Sequence, residues 1–521
     1  MPRPLRHSLP LACCVLALAL SLQAAAQDNL LKNPGFEDMA GPQPANWTQP
    51  SYWSGQLSAV TEAAQVHGGQ RSARLQAVLR DGRQWGRMHS AIIPVSVGLR
   101  YRFSVWAQGT GALKLGVIYY LQQRADKPTY ETAWQETPAA LTATWQEVVF
   151  DFSAPNPDTL QVALMIEVEG DKAAAVLDDA AFVVSRRAAG QVVVTPGYCM
   201  VQAGQKAVIS VKATQEDKPL AGGTLLMLSR TREAVTPQEL ALDQGGLASY
   251  RFAAPAEGKG IVRLDFASAD LGAAATVNAD VVDAQTYQTF AAAAAKTRLD
   301  LPAHLLFLGD SLTDFLRGQN YVDQVGFWLQ KTHGEQVTVK NAGVGGDFIT
   351  RVWQRLNGDP KVYRLNAYDN LYDPRPTQVF IFLGHNDSKL TSTSGFKDPV
   401  VSPTDFDAQY RQTVEKIRKD TGARITILSS TSSVYEITKA NAEKIVQSGK
   451  AASLFGKPEA LEQFNAIAKK VAADLGCGYI DVYEPTRTFP DKPSLFQPDG
   501  VHLTLAGNHL VALCILRYLG Q

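Results

Sequence analysis

The sequence predicts a multidomain protein in which two all-β domains precede a three-layer α/β/α domain. The chain has 521 residues, which exceeds one ordinary hydrophobic core and suggests about three domains. Residues 27–186 and 187–285 contain short runs of β-branched and aromatic residues between Gly, Pro, Asn and Asp, a pattern typical of strands. From Leu301 onward, strand-like runs alternate with amphipathic helical segments, which favours a parallel sheet covered by helices.

The first residues predict export. Arg3, Arg6 and His7 precede an apolar run over 9–22, and small residues follow at 23–27. This is the layout of a secretory signal peptide, and the apolar run is too short for a membrane-spanning helix. We therefore interpret residues 1–26 as a signal peptide and expect a secreted or periplasmic protein whose mature chain does not insert into a membrane.

Charge and cysteine content limit the partners and the cross-links. Lys+Arg number 50 and Asp+Glu number 50, so no basic excess is available to neutralise phosphates and nucleic acid is not expected as a partner. Cys199, Cys477 and Cys514 follow the signal peptide, an odd and sparse set that is not a disulfide framework. For Cys477 and Cys514 two alternatives stay open, a disulfide between the final helix and the strand after Cys477, or two buried free thiols.

The first β domain, residues 27–186, contains strand-like runs at 148–152, 160–168 and 175–184, and their spacing predicts a sandwich or jelly roll. Five segments then occur in order: NLLKNPGFE (29–37), HGGQRSA (67–73), YRFSVWA (101–107), WQEVVF (145–150) and LDDAAF (177–182). Together they resemble the jelly-roll carbohydrate-binding modules that are appended to bacterial polysaccharide-degrading enzymes. The resemblance implies that the partner is a polysaccharide or another glycan.

Sugar binding needs aromatic faces that a flat sugar surface can stack against. The candidates are four aromatic residues in or near polar stretches: Trp53, Trp85, Tyr120 and Trp134. Ordinary packing stays open as the alternative for each of them. Trp106 and Trp145 lie in strand patterns, so we expect them in the core.

Some modules of this type hold a structural calcium ion, so the resemblance also implies a candidate calcium site. Glu37 and Asp178 lie near opposite ends of the domain, and their carboxylates could meet there as oxygen ligands.

The second β domain, residues 187–285, resembles an immunoglobulin-like sandwich without a cysteine pair. No chemistry stands out in it, and we interpret it as a spacer. Residues 286–300 are expected to be a linker, within a helix-prone segment that extends from Asp283 to Lys296.

The last part of the chain, residues 301–521, predicts the α/β/α domain. Strand-like runs lie at 305–308, 336–340, 378–383, 424–428 and 478–483, and amphipathic segments lie at 321–332, 348–356, 404–420 and 458–475. Ser402 is a plausible helix start and Gly422 a plausible helix end.

Four short blocks fall after strands of this domain or before its last helix. They are GDSL (309–312), NAGVGGD (341–347), GHND (384–387) and DGVH (499–502). In this order they resemble the SGNH hydrolase, or GDSL esterase/lipase, family over residues 301–519. The resemblance implies a flavodoxin-like three-layer fold and hydrolysis of esters.

Residue chemistry suggests the roles within these blocks. Ser311 is the candidate nucleophile, and His502 is the candidate general base that later protonates the leaving alcohol. Asp499, one turn earlier if the segment is helical, could hold the imidazole in one tautomer. The family pattern implies that the oxyanion is bound by the backbone N–H groups of Ser311 and Gly346 and by the side-chain amide of Asn386.

The neighbouring polar residues receive structural interpretations. Asp310 and Asp387 are expected to serve turn hydrogen bonds, His385 to shape the rim of the pocket, and His509 to be structural. No set of His, Cys and Asp residues has zinc spacing, so we expect catalysis without a metal or another cofactor. Residues 429–456 form an unusually long connection that we expect to be a lid or a wall of the cleft.

The sequence therefore predicts an exported serine esterase that removes acyl groups, most simply acetyl, from a polysaccharide. Two alternatives stay open. One is an esterase or lysophospholipase that acts on lipids, for which we see no continuous apolar loop near the four blocks. The other is a glycan-binding protein with an inactive hydrolase-like domain.

Overall fold

The computed structural model describes residues 28–122, 129–231 and 233–521, and the predicted signal peptide, residues 1–26, lies outside them. The chain divides after Ser185 into two compact units. Among the helices of the described ranges, none combines the length and the apolar character needed to cross a membrane.

The first unit is built from antiparallel β-strands. In the described residues these are β1 Met39–Ala40, β2 Gln43–Pro44, β3 Trp47–Thr48, β4 Gln56–Val60, β5 Ser72–Gln76, β6 Val78–Arg80, β7 Arg83–Ser90, β8 Ile93–Pro94, β9 Arg100–Leu121, β10 Tyr130–Trp134, β11 Ala139–Ala140, β12 Gln146–Ser153 and β13 Thr159–Ser185.

Two long strands, β9 and β13, organise this unit because they pair with each other along most of their length. The runs predicted separately at 160–168 and 175–184 are one strand, β13, whose register shifts between Glu169 and Ala174 and between Asp178 and Ala181. The separating polar residues occupy these irregularities, where they do not end the strand. Tyr101 and Phe182 stack in the core at 5.2 Å between ring centroids.

The second unit begins with a two-sheet sandwich. Its strands are β14 Gly190–Thr195, β15 Tyr198–Gln202, β16 Lys206–Gln215, β17 Lys218–Pro219, β18 Thr224–Arg230, β19 Val235–Ala241, β20 Leu247–Ala253, β21 Gly260–Ser268 and β22 Ala273–Val282. One sheet contains β14, β16, β17 and β20, and the other has the order β15-β22-β21-β18-β19. Its apolar side chains, such as Ile209 and Phe266, are buried between the sheets. The immunoglobulin-like comparison stays a prediction.

The segment predicted as a linker is a packed helix. Helix α1, Ala284–Ala294, begins at Asp283, whose side chain accepts a hydrogen bond from the Thr286 N–H. Phe290 on this helix is fully buried in a core that contains Met200 of the sandwich and Leu516 of the α/β domain. The sandwich is therefore joined to the α/β domain by a common apolar core and is not a free spacer.

The α/β domain contains strands β23 Ala303–Gly309, β24 Val337–Gly343, β25 Gln378–Phe382, β26 Leu390–Thr391, β27 Arg424–Leu428, β28 Ser453–Leu454 and β29 Gly478–Ile480. Its helices are α2 Ser311–Asp314, α3 Tyr321–His333, α4 Ile349–Leu356, α5 His385–Ser388, α6 Pro403–Thr421, α7 Tyr435–Gln447, α8 Pro458–Asp474, α9 Tyr483–Arg487 and α10 Leu505–Tyr518.

The central sheet of this domain is parallel, with the order β24-β23-β25-β27-β29. Apolar side chains from both faces of the sheet are buried under helices, which explains the continuous apolar runs in its strands. The predicted helix ends hold for α6, because the Ser402 hydroxyl accepts from the Asp405 N–H and Gly422 ends the helix in a left-handed conformation.

Cys477 and Cys514 are free thiols in this structure. Of the two alternatives left open by the sequence, the structure therefore has the unpaired one. Cys477 instead lies within hydrogen-bonding distance of the Arg418 guanidinium.

The common core yields a stability prediction. Phe290→Ala should lower the free energy of unfolding of the second unit by about 3–5 kcal/mol, since it leaves a cavity between the sandwich and the α/β domain. Urea denaturation measures this loss. Gln288→Ala, at an exposed position of the same helix, is the control and should change stability by less than about 0.5 kcal/mol. A Phe290→Ala loss as small as the control's would show that the helix is not part of the common core.

Candidate active site

Ser311 lies directly after the central strand β23. A Cβ atom on Gly309 would come within 2.1 Å of the Thr313 hydroxyl and 2.9 Å of the Phe382 carbonyl oxygen, so only glycine fits where the strand turns. Asp310 then caps the short helix α2, accepting a hydrogen bond from the Leu312 N–H at 2.9 Å. This turn holds Ser311 at the carboxyl edge of the sheet.

The strand order brings the other blocks to the same place. Strands β24 and β25 flank β23, and the sequence blocks that follow all three strands therefore meet at one edge. This is the point at which the strand order reverses, where open α/β sheets form their ligand crevices.

His502 and Asp499 form a hydrogen-bonded pair, with 2.6 Å between His502 Nδ1 and Asp499 Oδ2. The sequence placed Asp499 one helical turn before His502 if the segment is helical, but the segment is a turn. In this turn Asp499 Oδ1 accepts from the N–H groups of Val501 and His502. Burial alone would raise the pKa of Asp499, but the imidazole and these N–H groups bring it below its ordinary value. Because Nδ1 is bonded to a carboxylate, Nε2 is the nitrogen left to exchange a proton.

Asn386 is held from two sides. Its Nδ2 atom donates to Asp310 Oδ2 at 3.2 Å, and its Oδ1 atom accepts from Lys389 Nζ at 3.1 Å. A lysine ammonium has only donors, so this contact determines which end of the amide faces Lys389. The second Nδ2 hydrogen remains for another acceptor.

Gly346 completes the predicted donor set. Its φ of 80° lies in the left-handed region, which a glycine adopts without strain. The next residue, Asp347, is buried in an ion pair with Arg355, which anchors this loop to α4. The loop is also tied to α2 by a 2.9 Å hydrogen bond from the Gly345 N–H to Asp314 Oδ2.

These groups surround one cavity of about 690 Å³. From the predicted catalytic and oxyanion set it is lined by Ser311, Gly346, Asn386, Asp499 and His502. The structure thus brings together every residue that the sequence assigned to catalysis.

The long segment 429–456 forms a wall of the cavity. Helix α7 contributes Asn441, Ala442, Lys444 and Ile445, and Phe455 follows β28. Strand β28 pairs with β26, which fixes the end of the segment to the domain. Of the two roles expected for this segment, a lid or a wall, the structure has the wall.

Two further groups at this edge are buried. His385 lines the cavity, as expected, but from a buried position: it is 2% exposed, its Nε2 atom lies 3.0 Å from the Thr431 hydroxyl, and burial lowers its pKa to about 4. Asp387 Oδ1 accepts from the Ile349 N–H at 2.8 Å, a turn hydrogen bond of the kind expected. Burial raises the pKa of Asp387 to about 7.

His509, which was expected to be structural, lies on helix α10. Its Nε2 atom lies 2.6 Å from Asp280 Oδ2 of the sandwich.

A second cluster lies in the first unit, around Arg87. The Arg87 guanidinium carbon lies 5.1 Å from the ring of Trp53, 5.0 Å from that of Trp85 and 4.7 Å from that of Trp134. Tyr120 packs against the same small apolar cluster as Trp53 and Trp134. All four predicted aromatic residues are therefore on one surface, each partly buried.

Acidic side chains hold this surface in place. Glu167, with a side chain only 6% exposed, accepts hydrogen bonds from Arg87 at 2.8 Å and from Arg83 at 2.8 Å. Arg83 also bonds Glu169. The aromatic rings are thus arranged around an arginine whose charge is already paired.

Trp106 and Trp145 are partly buried and not in the core, contrary to the expectation. Trp106 stacks on the His67 ring at 4.3 Å between ring centroids. Trp145 makes an edge contact with the same His67 ring at 5.3 Å. Trp145 precedes β12, where the strand has not yet begun.

Glu37 and Asp178 reach the same loop, 67–71, but as hydrogen-bond acceptors. Asp178 Oδ2 accepts from the N–H groups of His67 and Gly68, and Glu37 Oε1 accepts from those of Gln70 and Arg71. No three His, Cys, Asp or Glu side chains converge as metal ligands within the described ranges. In this structure the two carboxylates accept backbone hydrogen bonds, and the calcium site stays a prediction.

Comparison with known proteins agrees with this architecture. Residues 307–510 match the sequence model of the GDSL-like Lipase/Acylhydrolase family, and residues 28–174 match that of a carbohydrate binding domain. The α/β domain is a GDSL-like lipase/acylhydrolase domain. The first unit carries the carbohydrate-binding domain. No curated protein matches the chain.

Solved structures similar to the GDSL domain include a lipase/acylhydrolase from Enterococcus faecalis, at 20% identity over 42% of this chain and 95% of the other, with a TM-score of 0.32. A catalytic mutant of an acetylxylan esterase from Geobacillus stearothermophilus has 20% identity, 42% and 94% coverage and a TM-score of 0.30. A xylan-binding domain from Paenibacillus barcinonensis is similar to the first unit, at 16% identity, 30% and 96% coverage and a TM-score of 0.24.

Sequence reasoning missed several residues of these sites. Lys389 follows the GHND block by two positions, and Arg87 lies two positions after Trp85 on the same face of β7. Both positions could have been found by extending each motif to the next side chain on the same surface. Lys444 belongs to the 429–456 segment that was expected to be a lid or wall of the cleft, whereas no pattern singled out Phe455.

The buried Asp387 carboxyl predicts a pH dependence of stability. Its pKa is raised from 3.8 to about 7, so the folded state keeps a proton that the unfolded chain loses. Stability from this group is therefore fully present below about pH 4 and is lost as the pH rises through about 7. Asp387→Asn, which keeps the acceptor for Ile349, should show a smaller fall in stability from pH 5 to pH 8 than the unsubstituted protein. Urea denaturation at both values tests this, and parallel curves would refute it.

Proposed function

We propose that the protein is an exported serine esterase that removes O-acetyl groups from a polysaccharide. The observation that carries the proposal is the convergence of Ser311, Asn386, Gly346 and the Asp499–His502 pair around one cavity. A nucleophile, an oriented base and a set of amide donors are what acyl transfer requires.

In the proposed reaction, Ser311 Oγ attacks the ester carbonyl while His502 Nε2 takes its proton. The carbonyl electrons move to the oxygen, which is stabilised by the Ser311 and Gly346 N–H groups and by the Asn386 amide. The C–O bond then breaks, and the sugar hydroxyl leaves with the proton from His502. Water then attacks the acetyl carbonyl of the acetyl-serine while His502 takes its proton. Ser311 Oγ leaves with that proton, and acetate is released. Asp499 holds the imidazole and stabilises its positive charge.

The carbohydrate-binding domain supports a polymeric substrate. The Arg87 cluster supplies aromatic faces for sugar stacking, and a tethered binding surface raises the local concentration of ester near the catalytic domain. A lipid ester is the second candidate, because Ala442, Ile445 and Phe455 give the cavity an apolar wall, with Ile445 41% exposed.

The catalytic assignment is tested with acetylated polysaccharides. Ser311→Ala should abolish acetate release, and Asn386→Ala should lower kcat by about 10²- to 10³-fold with little change in KM, because the amide acts on the oxyanion. Acetate measured enzymatically and circular dichroism of each variant provide the readout and the folding control. Acetate release by Ser311→Ala at the unsubstituted rate would exclude the serine mechanism.

The same assay separates the candidate functions. Activity on long-chain acyl esters without acetate release from any polymer would favour the lipid esterase. If the protein binds glycans but hydrolyses neither class of ester, the glycan-binding alternative is favoured.

The role of the Arg87 cluster is tested separately. Trp134→Ala should weaken binding to the polysaccharide by about tenfold, since a stacking face worth roughly 1 kcal/mol or more is lost. Hydrolysis of a small soluble acetyl ester should not change. Trp145→Ala, a partly buried tryptophan outside the cluster, is the matched control and should bind normally. Equal losses in both variants would argue against a sugar-binding role for this surface.

A further inference from the structure

Three cationic side chains lie in or next to the catalytic cavity. Lys389 and Lys444 line it, and Arg351 donates a 3.3 Å hydrogen bond to the Gly346 carbonyl oxygen. Lys389 is partly buried, and its ammonium bonds only Asn386 Oδ1 among the described residues. In the same part of the chain, none of the three forms an ion pair with a carboxylate, whereas most arginines near this domain's surface do.

The acidic groups of the cavity do not neutralise these cations. Asp499 is committed to His502, and Asp310 accepts from the Leu312 N–H and from Asn386. Lys389 and Lys444 therefore place two positive charges on the cavity lining, and the charge of Lys389 is only partly offset by Asp310 and Asp387.

The positive groups also repel one another. Burial, and then the charge of Arg351, lower the pKa of Lys389 from its ordinary value, while the charges of Asp310 and Asp387 oppose this shift in part. A lysine that is partly buried beside a second cation is stabilised when an anion binds, because the anion offsets both the desolvation and the repulsion. Two of the three Lys389 N–H donors have no acceptor in the described residues, so such an anion would also receive hydrogen bonds.

The cavity in which a polysaccharide would lie is thus lined by two lysine ammonium groups that pair with no carboxylate among the described residues. A neutral acetylated glycan would offer these ammonium groups only hydroxyl, ether and carbonyl oxygens, which form weaker hydrogen bonds with a cation than an anion does. An acidic glycan would pair them with groups next to the scissile ester.

We propose that the substrate is an acidic polysaccharide, whose carboxylate or sulfate groups bind Lys389 and Lys444 beside the acetylated position. This inference rests on the proposed esterase function and adds the charge class of its substrate. Carboxylates and sulfates share the chemistry that these cations recognise, and the assay separates them.

The test compares polymers that differ only in charge. Acetylated polygalacturonate is compared with its methyl-esterified, neutral form, and acetylated dextran sulfate with acetylated dextran. We expect kcat/KM for at least one anionic member to exceed that of its neutral counterpart by about tenfold, with the preference falling as salt rises. The pair that shows the preference identifies carboxylate or sulfate as the recognised group.

Lys444 provides the discriminating variant, because it lies on the cavity wall and outside the proposed catalytic set. Lys444→Gln should raise KM for the preferred anionic polymer about threefold to tenfold and leave kcat, and KM for the neutral polymer, unchanged. Lys439→Gln is the matched control: it is on the same helix but outside this cavity, and its ammonium pairs with Glu443 at 4.0 Å.

The outcomes separate this inference from the proposed function. Equal kcat/KM on charged and neutral polymers, with acetate release that Ser311→Ala abolishes, would overturn the acidic substrate and leave the esterase standing. An equal effect of Lys444→Gln on both polymers would also overturn it. Absence of acetate release from every polymer would mean that the esterase proposal itself fails.

Discussion

The site depends on one constraint, the order of the parallel strands at the carboxyl edge of the sheet. Strand β23 lies between β24 and β25, so the loops after three consecutive strands meet although they are separated along the chain. The constraint is enforced by close packing. Gly309 leaves no room for a side chain against Thr313 and Phe382, and a Cβ on Gly343 would meet the Asp314 backbone at 2.7 Å. The conformation of the turn that presents Ser311 therefore depends on packing against the neighbouring strands β24 and β25 as well as on the residues of the turn.

Electrostatics then give the site a direction. Asp310 and Lys389 hold the Asn386 amide between an acceptor and a donor, so its remaining N–H is oriented before a substrate arrives. Asp310 is buried, which raises its pKa to about 6, and the Leu312 and Asn386 donors oppose that shift. On the opposite side Asp499 orients His502. Two carboxylates thus orient Asn386 and His502, while Lys389 and Lys444 line the cavity.

In the first unit, the Arg87 cluster is also held in place by a buried carboxylate. Glu167 is almost completely buried and pairs with Arg83 and Arg87, so the arginine at the centre of the aromatic cluster is neutralised within the module. The rings of Trp53, Trp85 and Trp134 pack against its guanidinium, and their positions are therefore set before any ligand binds. Among the described residues, Lys389 and Lys444 pair with no carboxylate, which is the physical difference between the two sites.

The sequence alone predicted the order of domains, the five strands of the parallel sheet, four of the helices that cover it, and the residues of the four blocks. It could do so because buried parallel strands read as apolar runs and because the chemistry of the blocks lies in short segments. It could not show that residues 286–300 are packed in a core, that Asp499 reaches His502 through a turn, or that Trp106 is partly exposed. Only the tertiary structure decided these points, and it alone brought Lys389 and Lys444 to one cavity. Their positions depend on contacts between segments far apart in the chain, such as β26 with β28, which no local pattern encodes.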